Sequence, residues 1–214
     1  MLDIIIVGAG GFGREVRQLL PACLAETEYR FKGYLGKDQG VAADDDARRL
    51  TLADPEMYRP VPTDRFALAI GNMDARKRTV ESIVEKGGVF VSLIHPCAMV
   101  AKTAKLGRGV VLYPFAVVSN EATLGDFVKL NYYASAGHNA ELGAYSLLAP
   151  YATVNGFSVL EEQVYMSTHS TVAPVVTVGR GSKISANSAA MKDVPAGSLV
   201  HGVPGRVTRR VDFR

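Results

Sequence analysis

Two structural classes are predicted within this one chain. Residues 1–92 are expected to form an α/β domain, Rossmann-like in its βαβ order, and residues 93–214 an all-β parallel β-helix. In the first part, apolar strand-like runs alternate with segments of helical spacing, which is the order of a parallel sheet. In the second part an apolar residue stands at every sixth position, a period that neither an α-helix nor a β-strand has and that is typical of a β-helix.

The N-terminal domain is predicted from strands and helices in alternation. The predicted strands cover residues 4–7, 31–35 and 66–70, and the predicted helices cover residues 13–25 and 75–86. Pro21 is expected to bend or end the first helix, and Gly87 to stop the second. Residues 36–64, rich in Asp, Arg and Pro, are expected to form loops with a short helix.

The β-helix is predicted from a repeat of six residues. Its apolar anchors are Ile94, Val100, Leu106, Leu112, Val118, Leu124, Leu130, Ala136, Leu142, Leu148, Val154, Leu160, Met166, Val172, Val178 and Ile184. A small residue follows each anchor by four positions, and the anchors stack into one continuous core. The third residue of each hexad is expected to point outward, because this column holds Lys102, Arg108, Asn120, Asp126, Glu162 and Arg180. His138 belongs to the same outward column.

Composition excludes several classes of function. A net charge of +3 is too small to indicate a nucleic-acid partner, although a C-terminal group of arginines leaves open a local anionic partner or a solvated tail. These are Arg206, Arg209, Arg210 and Arg214. Cys23 and Cys97 form no CxxC or disulfide pattern, which fits a reducing compartment. No signal peptide, membrane span or metal-ligand spacing is predicted, so a cytoplasmic protein without a metal is expected.

Four motifs occur in an order that carries a family resemblance. They are VGAGGFGREV near the start, AIGNMDARKR at 69–78, IHPCAMV at 94–100 and VPAGSLVHGVPGRV at 194–207. The chain resembles bacterial sugar acyltransferases of the NeuD/PglD type, which are hexapeptide-repeat proteins. The resemblance implies a left-handed β-helix with triangular coils of eighteen residues, acetyl transfer from acetyl-CoA to a nucleotide-activated sugar, and a homotrimer with active sites between subunits.

A catalytic pair follows from the register of the coils. One coil beyond His138 lies Gly156, and a glycine beside an outward histidine leaves a slot with a backbone N–H at its wall. Acyl transfer needs a base for the nucleophile's proton and a donor for the oxyanion, so His138 is the candidate general base and the Gly156 N–H the oxyanion donor. The resemblance implies the same two roles. The alternative is a solvated surface histidine.

Two departures from the family pattern concern this pair. Asn139 stands where the family usually has an acidic residue after the histidine, and an amide can orient the imidazole but offers no full charge. Glu141 and Glu121 are alternative acids for that role. Leu147 stands where some members have a second histidine. The other histidines, His95, His169 and His201, are expected to be structural or solvent-facing.

The resemblance also implies the two binding regions. Acetyl-CoA is expected along the C-terminal coils, with Thr168, Ala186 and Arg206 as contacts. A nucleotide sugar is expected at the N-terminal turns, with these residues as contacts: Gly8, Gly10, Gly11, Gly13 and Asn72. A nicotinamide site is disfavoured, because Gly36 and Lys37 replace the acid that would bind the ribose. Phe12 replaces a histidine of one subgroup, and loss of nucleotide binding, with a free or lipid-linked sugar as acceptor, is an alternative.

The predicted function is N-acetylation of a nucleotide-linked amino sugar by acetyl-CoA, with direct attack of the amine and His138 as base. One alternative is O-acetylation of a sugar hydroxyl, for which base strength matters more. A second alternative, from another class, is a trimeric binding or scaffold protein without turnover.

Overall fold

The computed structural model describes residues 1–36 and 50–209, so Lys37 and the arginines at 210 and 214 lie outside the described residues. The chain divides into two units, Met1–Leu93 and Ile94–Arg214. Each unit has its own sheet architecture, and the helices among the described residues lie in the first unit.

The first unit has a parallel sheet with the strand order β3-β2-β1-β4. The strands are β1 (Leu2–Val7), β2 (Tyr29–Leu35), β3 (Thr51–Ala53) and β4 (Asp64–Leu68). The helices are α1 (Gly11–Cys23) and α2 (Met73–Glu85). The chain leaves β1 toward β2 on one side and returns to β4 on the other, so the strand order reverses between β1 and β4. Ligands of open α/β sheets bind at such reversals.

Several element boundaries differ from the sequence-based expectation. The segment expected to hold only loops and a short helix contains β3, which extends the sheet beyond β2. Pro21 lies inside α1, which continues to Cys23. Strand β4 ends at Leu68 rather than at residue 70. Helix α2 begins at Met73, two residues earlier than predicted, because Asn72 caps it by accepting from the Ala75 N–H at 2.9 Å.

A buried polar cluster lies at the start of β4. The carboxylate of Asp64 accepts from Lys32 Nζ at 2.6 Å, from the Tyr58 hydroxyl at 2.9 Å and from the Val61 N–H at 2.9 Å. Burial opposes the charged form of Lys32, but the bonds to Asp64 and Tyr58 outweigh it and raise the pKa of Lys32. Burial is also the main cause that raises the pKa of Tyr58. Asp64 is buried, and its carboxylate is thus supplied with donors, as a buried polar group requires.

The second unit is a β-helix of two-residue strands, each paired in parallel with the residue eighteen positions away, as in Lys129 with Leu147. The strands are Leu93–Ile94, Met99–Val100, Lys105–Leu106, Val111–Leu112, Val117–Val118, Thr123–Leu124, Lys129–Leu130, Ser135–Ala136, Glu141–Leu142, Leu147–Leu148, Thr153–Val154, Val159–Leu160, Tyr165–Met166, Thr171–Val172, Thr177–Val178, Lys183–Ile184 and Ala189–Ala190. They form three sheets, and a hairpin of Ser198–His201 with Arg206–Arg209 follows.

The hexad anchors form the core of this unit. From Leu112 to Ile184 every anchor is buried, and the small residues four positions later pack beside them. The three anchors of the first coil are less buried, because no coil of the β-helix precedes it: Ile94 is 37% exposed, and Val100 and Leu106 are partly buried. From Gly109 to Asn187, the residue after each outward position turns the corner with a left-handed backbone, as at Asn139 with φ 57°.

Candidate active site

His138 lies on an outward corner of the β-helix, as the hexad register predicts. It follows the strand Ser135–Ala136, and its side chain is exposed. Its Nδ1 atom lies 3.2 Å from the Oδ1 atom of Asn139. The ring also packs edge-on against Phe157 one coil further on, with centroids 5.1 Å apart. Two neighbours therefore hold the imidazole, one polar at Nδ1 and one aromatic.

The acid of this site comes from the preceding coil. Asn139 donates through Nδ2 to Glu121 Oε2 at 2.5 Å. Glu121 is itself anchored, since its N–H donates to Thr103 Oγ1 at 3.0 Å. Over the described part of the chain, Glu141 makes no hydrogen bond to His138 or Asn139. Of the two alternative acids in the sequence, only Glu121 is thus connected to the imidazole, and only through the amide of Asn139.

Gly156 lies against the imidazole of His138. A Cβ atom at Gly156 would be 2.6 Å from His138 Cε1 and 2.7 Å from His138 Nε2, so any side chain there would displace the ring. Within residues 1–36 and 50–209, the Gly156 N–H donates to no other group. Nε2, the imidazole nitrogen that does not face Asn139, therefore lies beside backbone that has no side chain. The Gly156 N–H at this place can donate to a ligand.

Leu147 does not contribute to this site. It is 4% exposed and lies in the sheet, paired with Lys129 and Tyr165. The second histidine position of the resembling family is therefore a packing position here. His95 is also structural, because its Nδ1 accepts from the Cys97 N–H at 3.1 Å.

The residues expected to bind acetyl-CoA lie apart from His138. Thr168 and Ala186 are exposed and stand one coil apart in a second outward column, on a different corner from His138. Arg206 is exposed at the start of the last strand, opposite His201. The structure thus places Thr168 and Ala186 together and gives neither a contact with His138.

An exposed aromatic column was missed from the sequence. Phe115, Tyr133, Tyr151 and His169 are the corner residues of successive coils, and their rings stack face to face with centroids 5.0, 4.9 and 4.6 Å apart. Phe115, Tyr133 and Tyr151 are each nearly half exposed. The signal was present, since these residues recur every eighteen positions, one place after the outward column.

The predicted phosphate-binding turns lie at the strand-order reversal of the first unit. Gly8 and Gly13 are closely packed, because a Cβ on Gly13 would be 1.9 Å from the Gly8 carbonyl oxygen. Gly10, the N-cap of α1, has open space around it, with no atom within 4 Å of a Cβ placed there, and Gly11 starts the helix. Asn72 caps α2 at the end of the neighbouring strand. Two helix N-termini therefore follow two adjacent parallel strands, the arrangement that binds phosphate.

The described residues contain neither a metal-binding cluster nor a membrane-spanning helix. No group of three or more His, Cys, Asp or Glu side chains in the described ranges is arranged to hold a metal ion. Neither α1 nor α2, the helices of the described residues, is long and apolar enough to cross a bilayer. Burial raises the pKa of the Cys23 thiol to about 11, which makes it unreactive near neutral pH.

Comparison with known proteins finds sequence matches in both units. Residues 3–83 match the family model described as the PglD N-terminal domain. A UDP-N-acetylbacillosamine N-acetyltransferase of Bacillus subtilis (strain 168) is 32% identical over 117 residues, which are 52% of this chain and 51% of that protein. The match thus spans about half the length of this relative.

Two solved structures match almost the whole chain. PerB from Caulobacter crescentus, in complex with CoA and GDP-perosamine, is 25% identical with a TM-score of 0.85, and the match covers 96% of this chain and 97% of that chain. The acetyltransferase domain of PglB from Neisseria gonorrhoeae FA1090 is 26% identical with a TM-score of 0.86, covering 97% and 100%. The fold class predicted from the hexads and the resemblance drawn from the motifs are confirmed.

Proposed function

We propose that this chain, whose residues 3–83 match the PglD N-terminal domain family model, is an acetyl-CoA-dependent N-acetyltransferase of a nucleotide-linked amino sugar. The observation that carries the proposal is that His138 Nε2 lies beside the backbone of Gly156, one coil further on, where no side chain intervenes. The names of the relatives point to the same chemistry, since they include an N-acetyltransferase and a complex with CoA and a GDP-linked sugar.

The proposed reaction is a direct transfer without a covalent enzyme intermediate. Acetyl-CoA supplies the thioester, and the amine of the sugar attacks its carbonyl carbon. The carbon–sulfur bond breaks, and CoA leaves as a thiolate. His138 Nε2 accepts a proton from the attacking nitrogen and returns it to the thiolate, so the products are an N-acetyl sugar and free CoA. Histidine is the side chain that most often serves as a general base in such proton transfers.

The Gly156 N–H is proposed to stabilise the oxyanion of the tetrahedral intermediate. Its donor is free among the described residues, and the absence of a side chain lets a thioester approach the backbone. A Gly156→Ala variant should fold, because the three atoms nearest to the new methyl all belong to the exposed side chain of His138, which can move aside. It should lose most acetyl transfer, because the methyl displaces the His138 ring. Normal turnover by a folded Gly156→Ala variant would remove Gly156 from the site.

An amine acceptor is favoured over a hydroxyl by the group next to His138. Asn139 contributes an amide rather than a carboxylate at 3.2 Å from Nδ1, so the imidazole receives no full negative charge from its direct neighbour. A hydroxyl must be deprotonated as it attacks and depends more on base strength than an amine does. The proposed nucleophile is therefore the amino group.

The nucleotide part of the acceptor is assigned to the first unit. The open Gly10 turn and the N-terminus of α1 suit a diphosphate, and the Asn72 turn lies at the adjacent strand. At Gly36 a Cβ would be 2.8 Å from the Ala9 Cβ, so this position has no space for an acidic side chain. We assign acetyl-CoA to Thr168, Ala186 and Arg206, the last as a charge-assisted partner of a phosphate.

A homotrimer with shared sites is part of the proposal. The exposed aromatic column of Phe115, Tyr133 and Tyr151 presents apolar surface that another subunit would cover. Light scattering should give a mass about three times the chain's 22.9 kDa. The mass of a single chain would contradict this part of the proposal.

An acceptor panel tests the function. Thiol release from acetyl-CoA is measured with GDP-perosamine, with a UDP-linked amino sugar, with the same nucleotides carrying hydroxyl-only sugars, and with no acceptor. The proposal expects release with an amino-sugar nucleotide alone, and the same compound should raise Tm because it binds only the folded state. Release with hydroxyl sugars would instead indicate O-acetylation. A raised Tm without release would indicate a binding protein.

A further inference from the structure

Glu121 is connected to the imidazole of His138 through a single amide. We propose that Glu121 is a positioning residue for the base: its carboxylate fixes the amide of Asn139, and that amide fixes the tautomer and orientation of His138. The proposal rests on acetyl transfer at His138 and concerns how an acid outside direct contact with the imidazole serves that transfer.

The carboxylate decides which way the amide points. An ionised carboxylate only accepts hydrogen bonds, whereas an asparagine side chain has an accepting oxygen and a donating nitrogen. With Glu121 Oε2 at 2.5 Å, the nitrogen of Asn139 has to face the carboxylate. The opposite orientation would bring two oxygens together and is excluded. The amide oxygen therefore faces His138.

The amide then decides which imidazole nitrogen carries the proton. Asn139 Oδ1 lies 3.2 Å from His138 Nδ1, and an amide oxygen accepts only from a protonated nitrogen. Neutral His138 is consequently held with its proton on Nδ1 and a lone pair on Nε2. Nε2 is the nitrogen that lies beside Gly156. The accepting nitrogen thus faces the slot in which the acyl donor is proposed to bind.

The backbone holds this arrangement in place. Glu121 and Asn139 stand one coil apart with φ of 59° and 57°, so their side chains leave the corner in the same direction. The N–H of Asn139 donates to the Asn120 carbonyl at 3.0 Å, and the N–H of Glu121 donates to Thr103 Oγ1 at 3.0 Å. Thr103, Glu121 and Asn139 form one ladder across three coils that ends at the imidazole.

Exposure sets the size of the effect. Glu121 and His138 are exposed, so their charges are screened and the contribution of Glu121 is one of orientation. Glu121→Ala should lower kcat by about three- to tenfold, far less than loss of the base itself, with the KM for acetyl-CoA unchanged. Glu141→Ala is the matched control, since it removes a nearby exposed carboxylate that is bonded to neither residue. It should keep the wild-type rate.

Exchanging the charged and neutral side chains at positions 121 and 139 tests whether Glu121 positions the imidazole of His138 or only supports the local structure. Asn139→Asp places two carboxylates in contact and should lower the rate. Adding Glu121→Gln to that variant removes the repulsion and restores a donor–acceptor pair, so the double variant should recover activity. In the double variant the carboxylate introduced at position 139 contacts the imidazole directly and stabilises its protonated form. The acid limb of the pH–rate profile should therefore move to higher pH. A double variant no faster than Asn139→Asp would overturn the proposal.

The tautomer itself is measured independently of activity. Long-range ¹H–¹⁵N spectra of His138 at a pH where the ring is neutral should show the Nδ1–H form in the wild type, although free imidazole side chains favour Nε2–H. Glu121→Ala should shift the population toward Nε2–H, and Glu141→Ala should not. A wild type in the Nε2–H form, or a Glu121→Ala spectrum identical to wild type, would overturn the proposal. Full activity of His138→Ala would instead overturn the proposed function.

Discussion

The two units of this chain build their cores from contacts of different range. In the β-helix each strand pairs with residues eighteen positions away, so its contacts are with the neighbouring coils. In the α/β unit β1 pairs Leu2 with Tyr29 and Asp3 with Asp64, and each element depends on distant segments. A repeated local pattern can therefore carry a functional residue at any outward position, whereas the α/β sheet confines such residues to particular turns.

The largest expected effect on stability lies in the β-helix core. Leu130 is fully buried and stacks between Leu112 and Leu148. Leu130→Ala should lower the free energy of unfolding by about 2–5 kcal/mol, because neighbouring coils cannot close the cavity. Urea unfolding measures the loss, and Lys102→Ala, on an exposed outward position, should change it by less than about 0.5 kcal/mol. Equal losses in the two variants would contradict a continuous buried column.

A smaller effect tests the close backbone packing of the α/β unit. In Gly13→Ala the new methyl would lie 1.9 Å from the Gly8 carbonyl oxygen, a backbone atom, so strand and helix must separate. The expected loss is about 1–3 kcal/mol of unfolding free energy. Gly10→Ala, at the N-cap three residues earlier, meets no atom within 4 Å and should cost only about 0.5–1 kcal/mol, the loss of a preferred N-cap residue. Similar losses would show that the turn, rather than the contact, sets stability.

The smallest effect contrasts the two cysteines, one in each unit. Burial raises the pKa of Cys23 to about 11, while Cys97 is exposed. Since the thiolate is the reactive form and Cys23 is half-buried, a thiol reagent at pH 7.5 should modify Cys97 quickly and Cys23 much more slowly. Mass spectrometry of the labelled peptides measures both rates. Labelling of Cys23 in the native protein at the rate of Cys97 would contradict its burial.

The β-helix was predictable almost residue by residue, and the α/β unit was not. The hexads place every anchor, and the departures from full burial lie in the first coil, where Ile94 is exposed and Val100 and Leu106 are partly buried. In the α/β unit β3 was missed, because three residues without alternation carry no periodic signal and are held by pairing with β2. The limits of α2 were shifted because Asn72 acts as its cap.

The candidate site shows the same division. His138 and Gly156 follow from the register of the hexads, since one stands a coil beyond the other. The connection of Glu121 to Asn139 depends on side-chain directions at a left-handed corner, which no spacing alone reveals, so Glu121 and Glu141 stayed equivalent in the sequence. The stacked aromatic column follows the same eighteen-residue spacing, so it could have been predicted from the sequence.

The central claim is that His138, an outward histidine of the β-helix, acts as the general base of the acetyl transfer. The direct measurement is the rate of acetyl transfer by His138→Ala, with the amino-sugar nucleotide that the wild type accepts. Loss of a general base should lower kcat by about 10²- to 10⁴-fold, while Tm stays near that of the wild type because the side chain is exposed. A folded His138→Ala variant with the wild-type rate would contradict the account.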